Sequence, residues 1–170
     1  MHESAQDLRS LQRLLDDSYA AAGAHLLEVS APERRLSAEQ LVEKLTGMRL
    51  LVLSTATADG RPIGGPVDGI FYRGDFYFGS SPESVRFRHL RDRPAVSATH
   101  LPGEELAVTV HGTAEFLDVA AIENSGFRQA LLDIYVPRYG ADWENFLNSG
   151  PVYARITARR MYTFSMPITE

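Results

Sequence analysis

A short segment near the middle of the chain combines residue types that bind anions. Residues 80–86 read Ser-Ser-Pro-Glu-Ser-Val-Arg and follow an apolar run. Ser81 is a preferred helix N-cap and Pro82 suits the first helical position, so a helix is predicted from about Pro82 to Arg91. The first N–H groups of a helix lack intrahelical partners and carry partial positive charge. Such a helix start favours an anion, and a phosphate in particular.

Side-chain donors strengthen this predicted anion site. Arg86 lies on the first turn and can form two parallel hydrogen bonds with a phosphate, whereas Arg88 lies on another face of the helix. The donors of the segment are Ser80, Ser81, Ser84 and Arg86. The same pattern also fits a capped surface helix with solvated arginines, and composition alone favours that alternative.

Strands must position this helix start. Runs of branched and aromatic residues, partly in alternation with polar ones, predict strands, and Asp59-Gly60 and Arg73-Gly74-Asp75 predict the turns between them. The predicted strands span residues 48–57, 63–72, 76–78, 95–100, 106–117 and 152–164. Antiparallel strands joined by short turns and flanked by helices favour a mainly β (α+β) barrel.

Helices are predicted on either side of the barrel strands. Leucine spacing predicts a helix over residues 4–28. Ser37 and Gln40 form a capping box that begins a second helix, which ends before Gly47. We therefore predict a single split-barrel domain over residues 1–170, with an N-terminal helical extension over 1–47, a barrel core over 48–118, helices over 119–148 and the last barrel strand over 152–166.

Composition excludes several classes of protein. The 170 residues include no cysteine, which excludes disulfides, cysteine-ligated metal centres and thiol catalysis. A net charge of −5 argues against a nucleic-acid partner, and no apolar run approaches the roughly 20 residues of a membrane span. The N-terminus lacks the pattern of a secretory signal, so a cytoplasmic protein is expected. No metal site is predicted, because the histidines lie on separate elements.

The ordered set of segments resembles the FMN-binding split-barrel superfamily, which includes the pyridoxamine 5'-phosphate oxidase-like proteins and the flavin and deazaflavin oxidoreductases. Its members have a strand that ends in Ser or Thr, followed by a helix start of the type Ser-x-Lys/Arg-x-x-Asn/His-Leu. Ser80 matches the strand end. The helix start is matched by Ser84, Arg86, His89 and Leu90. Residues 65–69, 110–114 and 154–164 resemble three further strands of the superfamily.

The resemblance implies a six-stranded antiparallel split β-barrel with Greek-key topology, in a homodimer that holds its cofactor in a cleft between the subunits. The cofactor that the resemblance implies is FMN or the deazaflavin coenzyme F-420, with its phosphate expected at the Ser80–Arg86 corner. The ring system then rests on the strand residues Pro66, Val67, Asp68 and Gly69. The implied function is an oxidoreductase that reduces a small molecule, with no catalytic side chain.

Three departures from the superfamily pattern bear on the substrate. Gly65 stands where an arginine is expected, Ile70 near an expected lysine, and Val85 where a second arginine would lie. These cations surround the cofactor phosphate in true vitamin B6 oxidases, so the chain is predicted not to be one. The alternatives are a non-enzymatic flavin carrier, a haem-binding or haem-degrading split barrel with His100 or His111 at the cofactor, and a cofactor-free structural dimer.

Overall fold

Six antiparallel strands form a closed barrel in the computed structural model, which describes residues 2–166. The predicted fold class is confirmed, and each strand lies within a few residues of its predicted bounds. The strands are β1 (Met48–Ala56), β2 (Pro62–Tyr72), β3 (Asp75–Ser80), β4 (Ala95–Gly103), β5 (Leu106–Leu117) and β6 (Val152–Ser165).

The strand order is β1-β2-β3-β6-β5-β4, and β1 pairs with β4 to close the ring. This closing contact is short, because it pairs only residues 52–54 of β1 with 97–99 of β4. The chain leaves β3 at one side of the barrel and enters β4 at another. The expected Greek-key arrangement follows from this crossing connection, which contains the helix next to the predicted anion site.

Helices flank the barrel as α1 (Ala5–Ala20), α2 (Ala24–Val29), α3 (Ala38–Lys44), α4 (Val85–Asp92), α5 (Ser125–Tyr139) and α6 (Trp143–Ser149), with 3-10 turns at Pro32–Arg34 and Ile122–Asn124. The capping box of Ser37 and Gln40 is present, and Gly47 has a positive φ of 76°. Within residues 2–166, no helix combines the length and apolar character needed to cross a bilayer.

Two helix predictions were wrong in their bounds. The single helix over residues 4–28 is two helices, broken before Gly23, because the amphipathic pattern continues across a local change in backbone direction. The helix predicted from Pro82 begins only at Val85, because Ser81 and Pro82 form a turn instead. The helices predicted over residues 119–148 are α5 and α6, and Gly140, with a positive φ of 90°, ends α5.

A two-residue turn fixes how β2 and β3 pair. Arg73 and Gly74 both have positive φ, at 53° and 93°, as a type I′ hairpin requires. The backbone N–H of Arg73 donates to Glu3 at 3.0 Å, and its guanidinium pairs with Asp7 at 3.1 Å. The start of α1 therefore holds a non-glycine residue in a conformation that costs about 1 kcal/mol or more.

The free edge of β6 is covered by α1. β3 pairs with β6 only as far as Ile156, so the outer edge of the later residues needs other partners. Ser18 accepts from the backbone N–H of Met161 at 2.9 Å. The hydroxyl of Tyr19 donates to the carbonyl of Thr163 at 2.6 Å and accepts from its N–H at 2.8 Å. The N-terminal helix thus completes the hydrogen bonding of the last strand.

Asp75, at the start of β3, gives a testable pH dependence of stability. Burial raises the pKa of this carboxyl to about 6, although the nearby positive charge of Arg155 opposes the shift. The folded state then holds the proton more tightly than the unfolded state, so stability falls as pH rises from about 4 to about 6. We expect Asp75→Asn to raise the free energy of unfolding by about 2 kcal/mol at pH 8 and by little at pH 4.

Urea unfolding at both pH values measures this effect, with Asp17→Asn on the exposed face of α1 as the control. Equal gains for Asp75→Asn at pH 4 and pH 8 would show that the ionised carboxylate is not the cause.

Candidate functional site

The anion corner consists of Ser80, Ser81, Ser84 and Arg86, at the passage from β3 into α4. Ser84, not Ser81, is the N-cap of the helix, and its hydroxyl accepts from the N–H of Phe87 at 3.4 Å. Ser81 instead opens a tight turn, in which its carbonyl accepts from the N–H of Ser84 at 3.0 Å. Pro82 suits the second position of such a turn as well as the first position of a helix.

Arg86 joins the anion corner to β2. It is the second residue of α4, and its Nη2 donates to the carbonyl oxygen of Pro66 at 2.9 Å. A side chain on Gly65 would lie 3.5 Å from this nitrogen. The structure thus brings the predicted phosphate ligand and the predicted ring-lining strand into direct contact.

The charge of Arg86 has no carboxylate to balance it. Within residues 2–166, no Asp or Glu oxygen lies within 4 Å of the guanidinium, although five other arginines have such a partner. The side chain is partly buried, and this burial lowers the pKa of the guanidinium. A half-buried cation without a counter-ion, beside the start of a helix, suits a bound anion.

The four predicted ring-lining residues of β2 divide between the two faces of the strand. Val67 is buried in the barrel core, and a Cβ on Gly69 would lie 2.5 Å from the side chain of Leu51. Core packing therefore accounts for Gly69, and these two residues offer only their backbone to a ligand. Pro66 and Asp68 lie on the outer face.

A cavity of about 560 Å³ lies beyond Asp68, between the outer face of the β2–β3 hairpin and the helices α5 and α6. We call it the aromatic cavity. It reaches the anion corner, because Ser80 and Ser81 contribute to its wall. Its other lining residues are Asp68, Ile70, Gly79, Pro82, Tyr135, Tyr139, Trp143, Phe146, Ser149, Gly150, Pro151 and Tyr153.

Sequence reasoning missed most of the aromatic wall. For Tyr135 and Trp143 the sequence predicts only that they lie in the helices over residues 119–148. Tyr135 and Tyr139 are four residues apart and so share one helix face, which was an available signal. Nothing in the sequence indicated that Tyr153, on the last strand, would meet them.

Asp68 is the acidic group of the aromatic cavity. The hydroxyl of Tyr135 donates to its Oδ2 at 3.3 Å. Burial, and then the negative charge of Asp68, raise the pKa of Tyr135 and raise the pKa of Tyr153 to about 12. Both phenols therefore stay protonated and act as neutral donors near neutral pH.

His100 and His111, the two histidines considered for a cofactor, and His89 of the helix-start motif each have a local partner. Nδ1 of His89 lies 2.9 Å from the hydroxyl of Thr55, and Nδ1 of His100 lies 2.9 Å from the carbonyl oxygen of Leu50. Nδ1 of His111 lies 2.7 Å from the hydroxyl of Ser97. His100 is buried, whereas His111 is exposed on β5. None of the three lines the aromatic cavity.

The positions that depart from the superfamily pattern have structural consequences. Ile70 is buried beneath α5, in a cluster with Phe127 and Leu131, where a lysine ammonium would lose its hydration. Val85 is exposed at the first position of α4. Together with Gly65, these residues leave the anion corner without the expected additional cations. Arg86 remains, and the exposed Arg91 donates to the carbonyl oxygen of Pro82 at 2.7 Å.

Comparison with known proteins identifies the family. The family model described as pyridoxamine 5'-phosphate oxidase matches residues 37–160. The curated proteins yielded no match. Among solved structures, the conserved hypothetical protein Rv2991 from Mycobacterium tuberculosis has a TM-score of 0.64 at 18% identity, covering 82% of this chain and 94% of its own.

Two further solved structures are of proteins named for different ligands. An FAD-binding protein from Mesorhizobium loti has a TM-score of 0.56 at 23% identity, covering 76% of this chain and 93% of its own. HutZ, the haem storage protein from Vibrio cholerae, has a TM-score of 0.59 at 18% identity, covering 77% and 94% respectively. At such identities the comparison shows a common fold alone. The family match covers most of the chain, so this protein belongs to the pyridoxamine 5'-phosphate oxidase family.

Proposed function

We propose that this protein is an oxidoreductase that uses FMN or the deazaflavin coenzyme F-420 to reduce a small molecule. The observation that carries the proposal is Arg86, a half-buried guanidinium without a carboxylate partner in the described chain, at the start of α4. A phosphate at this corner would neutralise the guanidinium and accept from the first N–H groups of the helix. The hydroxyl groups of Ser80 and Ser84 would add donors.

The surface around Arg86 fits the rest of such a cofactor. The absence of a side chain at Gly65 leaves room beside the guanidinium. The outer face of β2, from Pro66 to Asp68, supports the ring system in this proposal. When bound, the flavin or deazaflavin supplies the hydride chemistry, while the residues of the chain bind it, orient it and keep water away from it.

A vitamin B6 oxidase is not the activity that these residues favour. The anion corner lacks the cations expected at Gly65 and Val85, and Ile70 is buried among apolar groups. We therefore propose reduction of another small molecule. A flavin carrier with the same corner differs only in that no electron donor or acceptor reacts with its bound cofactor.

A second copy of the chain would close the cofactor surface. Leu50 and Val52 on β1 and Leu101 on β4 are 60%, 55% and 61% exposed and lie on adjacent strands. A contiguous apolar patch of this kind marks an interaction surface. Val52 pairs directly with Pro66, so the patch borders the proposed ring surface. We propose a homodimer through this face.

Haem is the second candidate ligand, and one observation favours it. The Nδ1 of exposed His111 contacts Ser97, which leaves Nε2 available as an axial ligand. A Soret band on addition of haem that disappears in His111→Ala would establish this function in place of the flavin one.

Titration with FMN and with F-420, followed by fluorescence, tests the cofactor proposal. We expect Arg86→Ala to weaken binding by about 10- to 100-fold, because a charge-assisted hydrogen bond contributes about 1.5–3 kcal/mol. Arg88→Ala is the matched control, since this arginine is exposed two residues further along α4. If Arg86→Ala binds both cofactors as well as the unmodified protein does, the phosphate is not held at this corner.

A charge introduced into the apolar patch tests whether the protein dimerises through this face. We expect Val52→Asp to convert a dimer into a monomer in sedimentation velocity runs at micromolar concentration, because a carboxylate would have to be desolvated at the interface. Ile122→Asp is the control, since this isoleucine is 89% exposed outside the patch. A Val52→Asp protein that sediments like the unmodified dimer would place the interface elsewhere.

A further inference from the structure

The wall of the aromatic cavity is built for a flat ligand. The rings of Tyr135 and Trp143 lie 4.6 Å apart at an interplanar angle of 16°, and those of Tyr135 and Tyr139 lie 6.0 Å apart at 21°. All three rings line the cavity, but Tyr135 is buried, so a ligand reaches the exposed end of this stack and not the face of Tyr135. Tyr139 is largely exposed, as is Phe146. A planar aromatic molecule can stack on such a surface and bury its own faces there.

The charge of the cavity is negative. Among the described residues that line it, Asp68 is the only carboxylic acid, and the raised pKa values of Tyr135 and Tyr153 keep these phenols neutral. Oδ2 of Asp68 accepts from Tyr135, while Oδ1 has no hydrogen-bond partner within residues 2–166. One carboxylate oxygen therefore remains available for a ligand.

No cation compensates this charge inside the cavity. The lining residues in the described chain include no Arg, Lys or His. Arg138 lies over the ring of Tyr139 at 5.5 Å, and Arg91 donates to the carbonyl oxygen of the lining residue Pro82 at 2.7 Å. Both arginines are exposed, so water and salt screen their charges. A carboxylate and electron-rich ring faces together attract positive charge and repel negative charge.

We propose that the aromatic cavity binds a planar aromatic molecule that carries a positive charge or an N–H donor, with its ring against the exposed end of the Tyr135 stack and its charged or donor group at Asp68. The inference deepens the proposed function by naming the class of the substrate, and it rests on that function only for the redox role of the site. Binding in the cavity does not itself require the cofactor.

Calorimetric titration of the full-length protein with two probes of the same ring size tests the inference. The probes are N-methylquinolinium, a cation, and quinoline-4-carboxylate, an anion. We expect the cation to bind about tenfold tighter or more, as desolvated cation–π and carboxylate contacts predict. Asp68→Asn keeps the shape of the side chain and should remove most of this preference. Asp59→Asn, on the exposed β1–β2 turn, is the control and should retain it.

A second variant and a second signal locate the binding. Tyr139→Ala should weaken both probes, because it removes a stacking surface. It should lower their ratio less than Asp68→Asn does, because it removes one ring face and no charge. Trp143 is the single tryptophan of the chain, so its fluorescence should decrease with the same dissociation constant that calorimetry gives. Binding heat without a change in Trp143 emission would overturn the inference, because the probe would then lie elsewhere.

The result of the probe titration can be distinguished from the result of the cofactor titration. The titration is repeated with saturating FMN and with Arg86→Ala. The inference is supported if the preference for the cation depends on Asp68 and persists both with saturating FMN and in the Arg86→Ala protein. This holds even if the unmodified protein binds no flavin. Any of three results would overturn the inference, whatever the result for Arg86. The two probes bind with equal affinity, Asp68→Asn keeps the full preference for the cation, or FMN displaces the quinolinium.

Discussion

The register of the β2–β3 hairpin is the constraint on which both the core and the candidate site depend. The type I′ turn at Arg73 and Gly74 pairs Phe71 with Phe76 and Gly69 with Phe78, all of which face the barrel interior. A slip of one residue would reverse every side chain of the strand. The same register therefore determines which residues of β2 lie outside, where a ligand can reach them.

The outer face of β2 passes through three environments along its length. Ile70 lies beneath α5 and belongs to a second apolar cluster with Phe127 and Leu131. Asp68 lies where that cluster ends and the aromatic cavity begins. Pro66 is exposed and accepts a hydrogen bond from Arg86. One strand thus connects a packed layer to an open surface. A ligand can be held at this junction without disturbing the packing of the core.

Opposite charges lie at the two ends of this surface. Arg86 keeps a half-buried guanidinium with a single carbonyl partner on β2, and Asp68 keeps a carboxylate among aromatic rings. Each arrangement is unfavourable as packing alone, because a charge removed from water needs a counter-charge or several hydrogen bonds. Local conflicts of this kind concentrate at functional sites. The proposed cofactor and the proposed cationic ligand are the groups that would resolve them.

The sequence by itself determined the elements whose signals are local: the six strands, the capping box of α3, and the hairpin turn at Arg73 and Gly74. It also identified Arg86 on the first turn of α4. Only the tertiary structure decided that Ser84 begins that helix, because Pro82 fits a turn and a helix start equally well. The inward direction of Gly69, the reach of Arg86 to Pro66 and the meeting of Asp68 with Tyr135 join residues distant in the chain. Local patterns cannot specify such contacts, since these depend on how the strands pair and how the helices pack on them.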